Sequence, residues 1–157
     1  MNRIFLILFS AIMPTVMLGQ TNTPETIVVG PQGLTVGQTA RLNVLAPGLP
    51  APFATGVRCP ATLAILSSDG SVIKSQDVVV NPNQILSLDV TDAEAAALGR
   101  VQLSGKVLIP PAGTAGSYCT LVPTFEIFDT ATGKTTAVVG NAYTVGGPAR
   151  SSPANAR

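Results

Sequence analysis

Along residues 39–46, TARLNVLA, the apolar Leu42 and Val44 alternate with Arg41 and Asn43. A period of two turns one face of an extended chain toward a core and the other toward water, so this stretch predicts a half-buried β-strand. ILSLDV at 85–90 repeats the pattern with Leu86, Leu88 and Val90. Apolar and β-branched runs at 26–29 (TIVV), 61–68 (ATLAILSS), 71–80 (SVIKSQDVVV) and 100–109 (RVQLSGKVLI) also read as strands. Two longer runs follow, SYCTLVPTFEIFD at 117–129 and TTAVVGNAYTV at 135–145. Pro123 inside the first lacks the ladder N–H and predicts a bulge or an edge position.

The segments between these runs carry turn chemistry. Asp69-Gly70 separates two strand runs and is a strong hairpin signal, because Gly tolerates a positive φ. Asn81-Pro82-Asn83 and TATGK at 130–134 are further turns, and Pro47, Pro50 and Pro52 make 47–56 a loop. Pro110-Pro111 with Gly113 and Gly116 forms another. One short helix is expected near 92–98. Thr91 and Glu94 have the spacing of a capping box, four alanines and Leu98 follow, and Gly99 ends the element. Short strands every 8–15 residues and no internal repeat predict one antiparallel sandwich or small barrel.

The first twenty residues change where this body is expected to be. MNRIFLILFSAIMPTVMLGQ has a basic start at Arg3, an uncharged apolar middle from Ile4 to Leu18, and small or polar residues after it. That layout is a secretory signal, with cleavage expected after Gly19. The apolar stretch is shorter than the roughly 20 residues a membrane span needs. No cysteine near the cut could carry a lipid. Residues 1–19 are therefore expected to be a signal peptide, 24–146 the β-domain and 147–157 a disordered tail. The tail, GPARSSPANAR, has no apolar period.

Removing 19 of the 157 residues leaves 138, enough for one domain with a real core. Without Arg3, eight basic residues balance eight acidic ones. A neutral, sparsely charged chain speaks against nucleic acid and against docking to anionic lipid. The expected mature chain has no membrane span.

Cys59 and Cys119 are the two cysteines, and each stands at or near the start of a predicted strand. Counting hairpin-connected strands from residue 60, they open the first and the fifth. Strict alternation runs those two in the same direction and puts both sulfurs at one end. An exported chain meets oxidising conditions, so a structural disulfide is expected. The rival readings are a reactive thiol and a metal pair. A redox pair normally lies close in sequence, and a zinc site needs about four ligands in a chain with no His.

With strands and cysteines placed, the chain resembles the immunoglobulin-like sandwich superfamily. The wide Cys59…Cys119 pair and ILSLDVTDAEA at 85–95, a strand followed by a short helical segment, carry the likeness. Trp is absent, and Tyr118 stands one residue before Cys119, where that family has a tyrosine two residues before. The segment after 85–95 leads to VQLSGKV, which has no cysteine. If that strand is the family's F strand, the disulfide joins an unusual pair. The resemblance implies about seven to nine strands in an immunoglobulin-like β-sandwich and a binding or structural body, and it carries over no functional residue.

Without His, the commonest general base and any Ser–His–Asp triad are missing. Ser104 and Lys106 share a strand face, which reads as an ordinary solvated face. Asp89, Asp92 and Glu94 form the only acidic cluster. They could serve a hydrolase or hold Ca²⁺, but Asp92 and Glu94 fit the start of the short helix better. No phosphate loop is present, since Gly133-Lys134-Thr135 lacks the earlier glycine. Glu126, Asp129 and Lys134 flank the last hairpin and read as solubility. Tyr118 and Tyr143 are the aromatic candidates for stacking a sugar.

The expectation is a secreted or periplasmic, non-catalytic structural or interaction module with no cofactor. Its partner would be another envelope or extracellular protein. A carbohydrate-binding module is the alternative, and a hydrolase using the acidic cluster ranks last. Residues 24–30, ahead of the body, are the candidate for a strand donated to a neighbour.

Overall fold

The computed structural model describes residues 24–47, 58–96, 99–111 and 119–140, with the backbone of 142–145. The expected signal peptide, the tail and Tyr118 lie outside the described residues. Among the described residues nine strands form two antiparallel sheets: β1 (Glu25–Leu34), β2 (Gln38–Leu45), β3 (Cys59–Ser67), β4 (Val72–Val80), β5 (Ile85–Thr91), β6 (Val101–Ile109), β7 (Val122–Asp129), β8 (Thr135–Val139) and β9 (Ala142–Val145). The first sheet runs β4-β3-β6-β1-β9 and the second β5-β2-β7-β8. The fold is all-β, a two-sheet sandwich.

The alternation of side chains makes the core. From the five-stranded sheet Ile27, Val29, Leu63, Ile65, Leu103 and Val107 are buried, and from the four-stranded sheet Ala40, Leu42, Val44, Leu88, Val90, Phe125 and Ile127. Between Leu103 and Val107, Gly105 lies opposite Val29 on one side and Ile65 on the other. A Cβ there would come within 2.7 Å of Leu42 Cδ1 and 3.3 Å of Phe125 Cδ2, so the second sheet packs closely against a residue with no side chain. Phe125, fully buried, occupies the space that glycine leaves.

The turns follow the chain chemistry. Gly70 takes φ +83° in the β3–β4 hairpin, where its N–H donates to the Ser67 carbonyl at 3.0 Å. Asp69 accepts the Ser67 hydroxyl and the Ser71 N–H, and these bonds push its carboxyl down to about 2. Pro31 falls where β1 slips register against β6, between Val29 and Gln32. Pro123 pairs with Val44 ahead of the stretch that β8 covers, Phe125–Phe128, so it has a ladder partner on one side only.

Three expectations are corrected. The segment 92–96 is a hydrogen-bonded turn and not a helix. The capping box does close: Thr91 N–H donates to Glu94 Oε2 at 2.8 Å, and Glu94 N–H donates to Thr91 Oγ1 at 3.2 Å. Ala96 then adopts φ +49°, which ends the right-handed path after one turn. Residues 97–98 lie outside the described residues. The run 135–145 is two strands, because the chain crosses from the second sheet to the first after Val139. Residues 25–29 are no free donor: β1 pairs with β6 on one side and β9 on the other.

Cys59 and Cys119 are disulfide-bonded with Cα atoms 5.4 Å apart. Cys59 opens β3 in the first sheet, and Cys119 lies just ahead of β7 in the second. The bond ties the two sheets at the end where β2 and β6 finish and β5 and β7 begin.

Gly105→Ala should destabilise the chain by about 1–3 kcal/mol by overpacking against Leu42 and Phe125. Urea unfolding checks this, and an unchanged midpoint would mean that the sheets are not in close contact there.

Candidate functional site: the outer faces of the sandwich

The outer face of the four-stranded sheet is organised in rows by strand register. Arg41 on β2 lies between Asp89 on β5 and Glu126 on β7. Its Nε and Nη2 donate to Asp89 Oδ1 and Oδ2 at 2.8 and 2.7 Å, a two-pronged contact that suits the planar guanidinium. On the other side Nη1 stands 3.9 Å from Glu126 Oε1, and the guanidinium lies 4.7 Å from the centroid of the Phe128 ring. The hydrogen bond to Asp89 and the nearby carboxylates raise the Arg41 pKa, against the effect of burial. Arg41 is thus held as a permanent cation.

The next row continues the network. Asn43 Nδ2 donates to Glu126 Oε1 at 3.1 Å, and the Ser87 hydroxyl donates to Asn43 Oδ1 at 2.6 Å. The last row, at the disulfide end, is apolar: Leu45 sits between Ile85 and Val122, which are 62 and 46% exposed. The sequence placed Arg41 and Asn43 on a wet face, and it carried no signal that Asp89, Glu126, Ser87 and Phe128 would meet them. Those partners lie 44 to 87 positions away and depend on sheet order.

The outer face of the five-stranded sheet carries Ser104 and Lys106, both half-buried and on one face as their spacing requires. Lys106 pairs in register with Val28 and Ala64. Toward the disulfide end lies a shallow depression of about 390 Å³ lined by Pro60, Thr62, Asp77, Val79, Leu108 and Pro110. The Thr62 hydroxyl donates to Asp77 Oδ1 at 2.6 Å across it, and Val79 is half exposed.

The acidic cluster is dispersed by the fold. Asp89 is committed to Arg41. Asp92 Oδ2 accepts the Gly37 N–H at 2.9 Å. Glu94 accepts Lys74 Nζ at 2.7 Å and the Thr91 N–H, and these bonds hold its carboxyl below the usual carboxylate range, Lys74 having the larger effect. Each carboxylate therefore serves a different contact, and the Lys74–Glu94 pair ties the edge strand β4 to the turn after β5. On the last hairpin, Asp129 accepts the Thr132 hydroxyl and N–H at 2.7 Å and stabilises the turn, which lowers its pKa. Tyr143 stands opposite Val28 in the β1–β9 register.

These features define an antiparallel two-sheet sandwich with a charged row on one outer face and exposed apolar residues at the disulfide end. No family model, no curated protein and no solved structure matches the chain. What the protein does has to be argued from its surfaces.

Asp89→Asn removes the charge but keeps the shape, and it should cost about 1 kcal/mol or less because both partners are part exposed. A double-mutant cycle with Arg41→Ala should return a favourable coupling of about 0.5–1 kcal/mol. Strict additivity in denaturant unfolding would show that the pair is not formed in solution.

Proposed function

We propose that the protein is an exported, non-catalytic module with an immunoglobulin-like body that works by contact with another protein of the cell envelope or extracellular space. The observation that carries this is the apolar row at the disulfide end, where Leu45 lies between Ile85 and Val122 on the outer face of the four-stranded sheet. Val79 on one outer face and Ile85 and Val122 on the other are 50, 62 and 46% exposed. Single apolar residues on a surface are ordinary, but a set grouped around one pinned end is what a contact surface requires. The disulfide and the apolar character of residues 4–18 support export. Among the described residues no helix is long and apolar enough to cross a membrane.

Two pairings support the immunoglobulin-like reading. With β2 to β6 taken as strands B to F, β2–β5 is the B–E pair and β3–β6 the C–F pair. In this chain β7 flanks β2 and β1 flanks β6, and the disulfide joins β3 to the lead-in of β7. The body would then be a variant of that arrangement in which β1 and β7 have changed sheets and β4, in the D position, pairs with β3 and not with β5.

A photo-crosslinking side chain at Val79 or Val122 tests the contact in the native envelope. Discrete adducts with a second protein are expected at both positions and not at Val36, which is 69% exposed in the turn at the opposite end. The purified chain should begin after residue 19. Absence of adducts, or equal labelling at Val36, contradicts the reading.

A further inference from the structure

A sheet edge can accept another strand unless something guards it, and the outer strands of this sandwich are guarded unequally. On β4, Lys74 lies on the core-facing side and reaches Glu94, and the β3–β4 register shifts between Ile65 and Leu66. Strand β8 has five residues and a register shift against β7, and its Thr136 hydroxyl bonds back to the Ile127 carbonyl. Strand β9 has four residues. Strand β5, ILSLDVT, differs from all of these. Its seven residues pair with β2 without a shift, it contains no proline or lysine, and its one charge, Asp89, is already bound to Arg41.

The backbone of β5 shows which groups are available. Ala46 N–H donates to the Gln84 carbonyl and Asp92 N–H to the Gln38 carbonyl, one at each end of the β2–β5 ladder. In an antiparallel ladder the bonded residues alternate, so Leu86, Leu88 and Val90 bond to β2. The N–H and C=O groups of Ile85, Ser87 and Asp89 point away from it. Thr91, on the same outward side, gives its N–H to Glu94.

We infer that β5 is a self-pairing edge, through which two copies of this chain join their four-stranded sheets antiparallel about a two-fold axis at Leu88. Full overlap of 85–91 with itself sets the register, and that register is self-complementary. Leu88 faces the second copy's Leu88, Leu86 faces Val90, Ser87 faces Asp89, and Ile85 faces Thr91. Apolar residues meet apolar residues on the core side, and on the outer side Ser87, whose hydroxyl bonds Asn43, meets Asp89, whose charge is balanced by Arg41. No like charges oppose. Ser87 and Asp89 exchange their outward N–H and C=O bonds in each half of the pair. The surface is isologous, so it closes at two copies and builds no filament.

Ser87→Pro tests this directly. It deletes an N–H that points away from β2, and proline is tolerated at such an edge position. The sandwich should therefore keep its circular dichroism and its cooperative unfolding, with a midpoint lowered only slightly by loss of the exposed Ser87–Asn43 hydrogen bond. Sedimentation of the oxidised chain should show a concentration-dependent dimer, with Ser87→Pro raising its dissociation constant by about tenfold or more. Ser87→Glu, which sets a like charge against the second copy's Asp89 and leaves the backbone intact, should do the same and decides the matter if the proline variant misfolds. A wild-type chain that stays monomeric into the high micromolar range overturns the inference, as does a dimer that both variants leave unchanged. So does a monomer that instead takes up a foreign extended strand. The inference goes beyond the contact proposed above and does not need it: either variant leaves crosslinking at Val79 and Val122 unaffected.

Discussion

The covalent bond between Cys59 and Cys119 is the constraint around which this small sandwich is arranged. It joins the first residue of β3 in one sheet to the segment entering β7 in the other. The core it closes is built from valine, leucine, isoleucine and alanine, with Phe125 the one buried aromatic among the described residues. Such a core fills its space with small side chains, so the sheets must come close, and they do so at Gly105. Hydrophobic burial holds the middle of the sandwich, and the bond holds the end at which β3 and β7 begin.

Much of the fold was legible because alternation of side chains is a local property. The faces of β2 and β5 could be read from Arg41–Val44 and Leu86–Val90, and the Asp69-Gly70 hairpin from two residues. The alternating direction of successive strands was enough to bring the cysteines to one end. What stayed hidden depends on sheet order. The run 135–145 looks like one strand because its pattern does not break at Gly140, and only a competition between two sheets for its halves splits it. The capping box at Thr91 was read correctly as a hydrogen-bond motif. It did not make a helix, because a cap satisfies donors at a start and cannot extend an element that Ala96 turns aside. The contacts of Arg41 with Asp89, Glu126 and Phe128 were beyond reach, since each needs the neighbour of β2 to be known.

The same register decides which chemistry the surfaces can support. Asp89, Asp92 and Glu94 are close in sequence, and the fold sends them to an arginine, a backbone N–H and a lysine. Among the described residues Arg41 and Lys74 use their charges to tie separate elements together, and three of the six large apolar residues left exposed, Val79, Ile85 and Val122, lie at the pinned end. The edges of the sheets are graded as well, from β4, with an inward lysine and a register shift, to β5, which pairs with β2 without a break.

The dependence of the sandwich on its covalent tie is measured by unfolding the oxidised chain in urea beside a Cys59→Ala/Cys119→Ala variant. Linking residues 60 positions apart removes freedom from the unfolded chain, so the variant should unfold in one cooperative step with about 3–4 kcal/mol less stability. Equal stability of the two proteins would contradict the account, because the sheets would then be held together without the bond.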